Sequence, residues 1–210
     1  MTTATAAAAA EGVQGRGGPR GRAAGVRFRD CVPGDVGAVV GVVNRAYREP
    51  GHWTGEHGLV AGPRVREADV EATLRKGADE VRLLVAELDG RVVGTVEVAL
   101  VLEEDGDGGT RREGYIGMLS VEAELGSLGL GRALVEQAEA VAASHFRCTV
   151  ATMWTLGARS DIIAWYTSAS MGYADTGERR EAKQLIGSLG GQLLVDCDFV
   201  VLRKPLPVST

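Results

Sequence analysis

Three glycines carry the clearest chemical signal in this sequence. They occupy positions 126, 129 and 131 of the segment ELGSLGLGRALVE, which follows the apolar run YIGMLSV and continues into residues that favour a helix. A glycine turn between a strand and a helix exposes backbone N–H groups at the positive end of the helix dipole, where they can bind phosphate. A Cβ would hold that phosphate away from the backbone. The spacing predicts a phosphate-binding turn, the plainer alternative being an ordinary glycine-rich connection.

Two common phosphate motifs do not fit this turn. A P-loop requires a lysine after its last glycine, and no lysine lies in or near the segment. A dinucleotide fingerprint requires a glycine where Leu134 stands and an acid about 20 residues further on, yet no Asp or Glu lies between Glu139 and Asp161. What remains is Gly-x-x-Gly-x-Gly at the start of an amphipathic helix, which favours a diphosphate held by backbone donors.

A metal site is not expected. His52, Glu56 and His57 follow Pro50-Gly51 in a predicted loop, and their spacing is one residue longer than the His-x-x-Glu-His zinc motif. A loop would not present two ligands on one rigid helical face. The three cysteines form no CxxC pair, so we interpret them as reduced thiols, as in an intracellular protein.

Composition narrows the class of protein further. The chain has 210 residues, is 45% hydrophobic and 24% charged, and has a net charge of −5. These values indicate a globular protein with one core, and no apolar run approaches the roughly 20 residues that a membrane helix needs. The negative charge argues against nucleic-acid binding through a basic face and would suit a cationic substrate such as an amine. We expect a cytoplasmic protein.

The elements that would position the glycine turn follow from the pattern of the rest of the chain. Residues 1–25 are low-complexity Ala, Gly and Arg, which predicts a disordered tail. Their acid-poor composition also fits an organelle transit peptide, which would imply organelle import. Residues 26–206 read as β-α-α-β-β-β-α-β-α-β-β, with a hairpin at Asp89-Gly90. This order predicts one α/β domain, a mixed sheet with helices on both faces.

The segment MLSVEAELGSLGLGRALVEQAEAVA resembles the acetyl-CoA-binding segment of the GNAT family of N-acetyltransferases. In that family a strand runs into a Gln/Arg-x-x-Gly-x-Gly/Ala loop and a helix. Here Leu119, Ser120 and Val121 take the strand positions, and Gly129 and Gly131 take the two small ones. The family's Gln or Arg falls on the first glycine of the turn, at position 126, which is a departure.

Two further segments resemble the same family. ARSDIIAWYTSASMGYADTGE is similar to its later helix and strand, with Tyr166 and the pair Gly172-Tyr173 in the matching places. Arg159 stands where the family often has Asn, a second departure. VNRAYREPGHWTGEHGLVAGPR resembles the substrate-side segment of a GNAT subgroup. The resemblance covers roughly residues 26–206, with the helices and strands in the order that the family has. It implies a mostly antiparallel central sheet.

The resemblance implies an acetyl-CoA-dependent N-acetyltransferase. Acetyl-CoA would be the co-substrate, and a primary amine of a small molecule or a protein would attack it directly in a ternary complex. The resemblance places the acetyl end beside the strand and the pyrophosphate on the turn, with the contact residues Leu119, Ser120, Val121, Gly126, Ser127, Leu128, Gly129, Leu130, Gly131 and Arg132.

Three side chains are candidates for the chemistry that the resemblance implies. Tyr166 would protonate the departing CoA thiolate, its plainer alternative being a core aromatic. Glu122 or Glu56 would accept the proton of the amine. Glu56 could instead line the amine pocket beside Trp53. Backbone N–H groups around Leu119, where the central strand splays from its neighbour in this family, would polarise the thioester carbonyl.

Two matters stay open at the level of sequence. A non-catalytic acyl-CoA-binding module that acts through a partner is the alternative function, and a transferase for a longer acyl chain is a weaker one. The segment 181–198 differs from the matching part of the subgroup, so the amine acceptor is undetermined. Edge-strand pairing is common in the family, so the resemblance also allows a homodimer.

Overall fold

The computed structural model describes residues 25–104 and 108–207. The predicted N-terminal tail therefore lies outside the described residues, apart from Gly25. Nine strands are described: β1 (Arg27–Asp30), β2 (Val60–Ala61), β3 (Val81–Leu88), β4 (Arg91–Glu104), β5 (Thr110–Val121), β6 (Val150–Leu156), β7 (Ala174–Arg180), β8 (Gln192–Leu193) and β9 (Phe199–Pro205). The five described α-helices are α1 (Val36–Arg48), α2 (Glu67–Lys76), α3 (Leu130–Ser144), α4 (Ser160–Thr167) and α5 (Ala182–Ser188).

Seven strands form the central sheet, in the order β1-β3-β4-β5-β6-β9-β7. Within the described residues β5 and β6 are its one parallel pair, and the other neighbours run antiparallel. The predicted mixed, mostly antiparallel sheet is thus confirmed. The β3–β4 hairpin turns at Asp89 and Gly90, both with positive φ (50° and 76°), as its Asp-Gly pair predicted.

Helices cover both faces of the sheet, also as predicted. Side chains of a strand alternate between faces, and β3 shows the result. Leu83 and Val85 pack in the cluster that holds the apolar residues of α1 and α2. Leu84 and Ala86 pack in the cluster that holds those of α3 and α4. The candidate active site lies where these two layers of helices meet the middle of the sheet.

A close contact fixes α3 on the sheet. A Cβ built at Gly114 of β5 would lie 2.5 Å from the Cβ of Ala142 in α3, so the helix backbone approaches the strand more closely than any larger residue would allow. Because α3 follows directly from the end of β5, this contact holds the N-terminus of the helix at the end of that strand.

The structure differs from the sequence-based prediction in several short regions. Residues 123–128 form a 3₁₀ helix where a simple turn was expected. Helix α4 ends at Thr167 rather than near Gly172, and the Ser168 hydroxyl donates to the Trp165 carbonyl there (2.6 Å). Residues 181–198, for which no element was predicted, contain α5 and also β8, which pairs with β2. None of the described helices has the length and apolarity to cross a membrane.

Candidate active site

The parallel pairing of β5 with β6 is short, and the site is built on its end. Backbone pairing joins Glu113–Tyr115 to Val150–Thr152, while β5 continues to Val121 and β6 to Leu156. Beyond Tyr115 the strands separate, and residues 116–119 and 153–156 line one cavity between them. We call this space the strand cleft. N–H and C=O groups that face it have no ladder partner in the opposite strand, so they are available to a ligand.

A β-bulge lies in the wall of the strand cleft. Thr95 pairs with Ser120 and Glu97 with Gly117, so Met118 and Leu119 of β5 together oppose the single residue Val96 of β4. Met118 adopts a positive φ of 49°, which is unusual for a residue with a side chain. A bulge bends a strand and leaves one residue unpaired, and bulges are frequent beside active sites. The predicted contact residue Leu119 is part of it.

The glycine turn presents open backbone at the N-terminus of α3. Gly129 has a φ of 72°, the left-handed conformation that favours glycine, and begins the helix without a capping side chain among the described residues. The first N–H groups of a helix have no partner within it, so they can bind an anion. A Cβ built at Gly126 or Gly129 would meet no atom within 4 Å, so packing does not require glycine there. The geometry of the turn fits a phosphate group.

A second cavity, which we call the turn cleft, lies over these glycines. The predicted contact residues that line it are Val121, Gly126, Ser127, Gly129, Gly131 and Arg132. Leu119 lines the strand cleft instead. The other predicted contacts line neither cleft: Ser120 and Leu130 are buried in the core and Leu128 is exposed at the surface.

The loop 51–56 forms a wall of both clefts. Thr54 lines the turn cleft and the strand cleft, so the two spaces adjoin. Trp53, predicted beside the amine, lies in the turn cleft, with its ring in edge contact with Trp165 (centroids 4.3 Å apart). Glu56, predicted in the same pocket as Trp53, lines the strand cleft. The structure does not bring these two side chains into one wall.

Arg159 fastens this loop to the start of α4. Its guanidinium donates hydrogen bonds to the carbonyls of Trp53 (2.6 Å) and Gly55, and pairs with Asp161 (2.9 Å). The family often has Asn at this position, and sequence reasoning assigned no role to the arginine that replaces it. No local pattern could have shown the contact, since more than 100 residues separate the guanidinium from the carbonyls that it binds.

Tyr166 lies in the wall of the strand cleft and is 7% exposed. Its ring contacts Trp165 and Tyr173, with centroids 4.7 and 5.8 Å away. Among the described residues its hydroxyl has no hydrogen-bond partner, so it is not satisfied locally in the way expected of a core aromatic. Burial, followed by the neighbouring Tyr47 and Tyr115, raises its pKa. The hydroxyl therefore stays protonated and able to donate.

The family model described as acetyltransferase (GNAT) family matches residues 52–173, more than half of the chain. The protein belongs to the GNAT acetyltransferase family. The matched range contains the bulge, the glycine turn and Tyr166, so the sequence match and the geometry point to the same part of the molecule.

Solved structures similar to this GNAT protein share its fold. An acetyltransferase of the GNAT family from Streptococcus pneumoniae has 18% identity and a TM-score of 0.61, over 87% of this chain and 99% of that one. A ribosomal-protein-alanine N-acetyltransferase from Brucella melitensis has 19% identity and a TM-score of 0.59, over 86% and 99%. The NatC complex bound to Gag peptide and CoA contains a chain with 16% identity and a TM-score of 0.58, over 87% and 99%. No curated protein sequence matches this chain significantly.

Two carboxylates of the GNAT protein were predicted as alternative bases, and the structure separates them. Each is paired with an arginine of α1: Glu56 with Arg48 (2.6 Å) and Glu122 with Arg45 (2.5 Å). Glu56 and Arg48 line the strand cleft, whereas Glu122 lines neither cleft. The two pairs thus have similar chemistry but different access to the site.

Sequence reasoning predicted no individual role for three side chains of the strand cleft. Tyr47 from α1, Tyr115 from β5 and Arg64 from the segment before α2 all line it. Tyr47 and Arg64 belong to the segment VNRAYREPGHWTGEHGLVAGPR, which resembles a substrate-side segment, but no role was predicted for either side chain. Nothing in the spacing of Tyr47 distinguishes a cleft residue from a core residue. The predicted absence of a metal site stays a prediction: no group of three or more His, Cys, Asp or Glu that could hold a metal occurs in the described part of the chain.

We predict that the tyrosines make this GNAT protein sensitive to high pH. The chain has four tyrosines, Tyr47, Tyr115, Tyr166 and Tyr173, and burial is the main reason why the pKa of each is raised. The pKa of Tyr115 is raised to about 12. The unfolded chain loses these protons near pH 10 and the folded chain at higher pH. Stability is therefore unaffected well below pH 10 and falls as the pH rises above it.

Denaturant unfolding at pH 8 to 11, with tyrosinate absorbance recorded in parallel, measures this effect. Tyrosinate should appear together with unfolding. Phenolate absorbance near pH 10 in a protein that keeps its near-UV circular dichroism would contradict the prediction.

Proposed function

We propose that this protein transfers the acetyl group of acetyl-CoA to a primary amine of a small molecule or a protein, by direct attack in a ternary complex. The observation that carries the proposal is the adjoining pair of clefts: open helix N–H groups over the glycine turn, unpaired strand backbone in the strand cleft, and Thr54 in the wall of both. One extended ligand with a diphosphate and a thioester would suit that combination. We assign this activity to one domain of residues 26–206.

Among the described residues there is a candidate for each function that the proposed reaction needs. The N-terminus of α3 and the exposed Arg132 would hold the pyrophosphate. Backbone N–H groups of β5 in the strand cleft would polarise the thioester carbonyl. The amine nitrogen would form the new amide bond as the carbon–sulfur bond breaks, with Tyr166 donating to the departing sulfur and Glu56 accepting the proton of the amine, directly or through water.

Gly126 offers a test of the cofactor site that leaves the backbone unstrained. It lies in the turn cleft without a positive φ, and a Cβ there meets no atom within 4 Å. Gly126→Glu should weaken acetyl-CoA binding by about tenfold or more, because it brings a negative charge to the phosphate site. Isothermal titration with acetyl-CoA, and with NAD and ATP for comparison, measures the change.

The matched control is Gly126→Gln, which has the same size without the charge. Since the family often has Gln or Arg at this position, Gly126→Gln should bind acetyl-CoA at least as well as the natural protein, and Gly126→Arg more tightly. Equal losses in the Glu and Gln variants would mean that size alone matters and that no phosphate binds there. Absence of acetyl-CoA binding in the natural protein would refute the proposal altogether.

Tyr166→Phe tests the proposed acid. The variant should lower kcat by about 10²-fold or more and leave the affinity for acetyl-CoA unchanged, because the hydroxyl acts on the departing sulfur. Release of free CoA thiol, recorded with a panel of amines, gives the rates. Tyr173→Phe is the control, since it removes another buried hydroxyl, one that donates to Glu139 (2.8 Å) outside the strand cleft.

An unchanged kcat in Tyr166→Phe would show that Tyr166 is only a core aromatic and not the acid. If the natural protein binds acetyl-CoA but turns over no amine, the protein is the non-catalytic acyl-CoA-binding module instead.

The two carboxylate–arginine pairs of α1 allow a matched test of the base. Glu56→Gln should lower kcat/KM by about 10²-fold, and most strongly near neutral pH, where the amine is mainly protonated. Glu122→Gln removes an equivalent ion pair outside the clefts and should leave kcat/KM within about twofold. A pH–rate profile of both variants is the measurement. A larger loss in Glu122→Gln than in Glu56→Gln would transfer the role to Glu122.

A further inference from the structure

The strand cleft is lined by more positive than negative side chains. Its charged lining residues are three arginines, at positions 48, 64 and 159, and one carboxylate, Glu56. Glu56 pairs with Arg48, and Arg159 is held by Asp161 and by loop carbonyls. Arg64 has no carboxylate within 4.0 Å among residues 25–104 and 108–207, so its charge is the one in the lining that lacks a close counterion.

Arg64 is fixed in place by backbone contacts and by Tyr47, whose hydroxyl also interacts with the guanidinium. Its backbone N–H donates to the side-chain oxygen of Asn44 (2.7 Å), and the amide of Asn44 donates back to the Val65 carbonyl (2.9 Å). The guanidinium carbon lies 5.1 Å from the centre of the Tyr47 ring. A guanidinium has five N–H donors in a planar fork, so the donors that Tyr47 does not engage suit a carboxylate.

The surroundings of Arg64 keep it charged. Burial lowers its pKa, but Tyr47, Glu56, Tyr115 and Glu97 together raise that pKa above its ordinary value. Glu97 does not line the cleft, and burial raises the pKa of its own carboxyl group, which favours the neutral form. A charged guanidinium out of bulk water is costly unless an anion or hydrogen-bond acceptors reach it.

From this arrangement we propose that the acetyl acceptor is an amino carboxylate, whose carboxylate binds to Arg64 while its amine reaches the thioester. The inference rests on the proposed function and names the class of its substrate. Leu185 and Leu189 from the region of α5, and Phe199 from β9, form an apolar part of the same lining. That part suits an apolar side chain, so the acceptor class is an amino acid with an apolar side chain.

Paired probes test the inference directly. The purified full chain, with and without saturating CoA, is titrated calorimetrically with L-leucine, L-methionine and L-phenylalanine and with the amide of each. At least one acid should bind about tenfold or more tightly than its amide, because a charge-assisted pair with arginine is lost in the amide. Thiol release with acetyl-CoA should show the same preference in KM.

The variants separate recognition from folding. Arg64→Gln should remove the preference for the acid, with little change for the amide, and Arg64→Lys should retain part of it, because the charge remains without the planar fork. Arg75→Gln is the matched control, since Arg75 is exposed on α2, pairs with Glu71 and lines neither cleft. Thermal unfolding of each variant identifies losses that come from misfolding.

Equal or tighter binding of the amides, no binding of any probe, or an equal loss for acids and amides in a folded Arg64→Gln variant would overturn the inference. The proposed function fails separately, if acetyl-CoA itself does not bind. If acetyl-CoA binds but the protein does not discriminate between acids and amides, the transferase proposal stands and an amino carboxylate is excluded as the acceptor.

Discussion

The early end of the pairing between β5 and β6 is the constraint on which the rest of the site depends. After Tyr115 and Thr152 the two strands continue, β5 to Val121 and β6 to Leu156, but they no longer pair with each other. Unpaired backbone groups inside a protein are costly unless water or a ligand satisfies them. The middle of the sheet therefore has backbone polar groups in the wall of a cleft whose other lining residues are aromatic, aliphatic and charged side chains. A fully paired sheet would have no such opening.

Two features maintain the opening once it exists. The bulge at Met118 and Leu119 bends β5 while β4 still holds it, and the close contact between Gly114 and Ala142 keeps α3 on the opposite side. The glycine turn then lies at one end of the opening. Arg159 holds the loop 51–56 across it through main-chain carbonyls, so the wall shared by both clefts is fastened to α4. Fold and site thus depend on the same few contacts.

Sequence reasoning was most successful where local chemistry determines structure. The hairpin at Asp89-Gly90 and the helix after the glycine turn follow from turn residues and periodicity. The family assignment followed from the segments around Gly129 and Tyr166. It failed where structure depends on distant contacts. Helix α5 has only seven residues, and β2 and β8 have two each, so none of the three carries a periodic signal. Trp53 was placed beside Glu56 because they are close in sequence, but a loop directs them into different clefts.

The strand cleft also draws its wall from a part of the chain beyond the family match. The matched range ends at residue 173, yet Leu185, Leu189 and Phe199 line the cleft, brought there by α5 and β9. The β2–β8 pair joins this late segment to the loop region through only two residues on each side. Mutations between residues 181 and 199 can reshape this wall while the glycine turn and the bulge stay intact. Descendants of one ancestral gene can therefore diverge in this wall and still be recognised as family members by the glycine turn and the bulge.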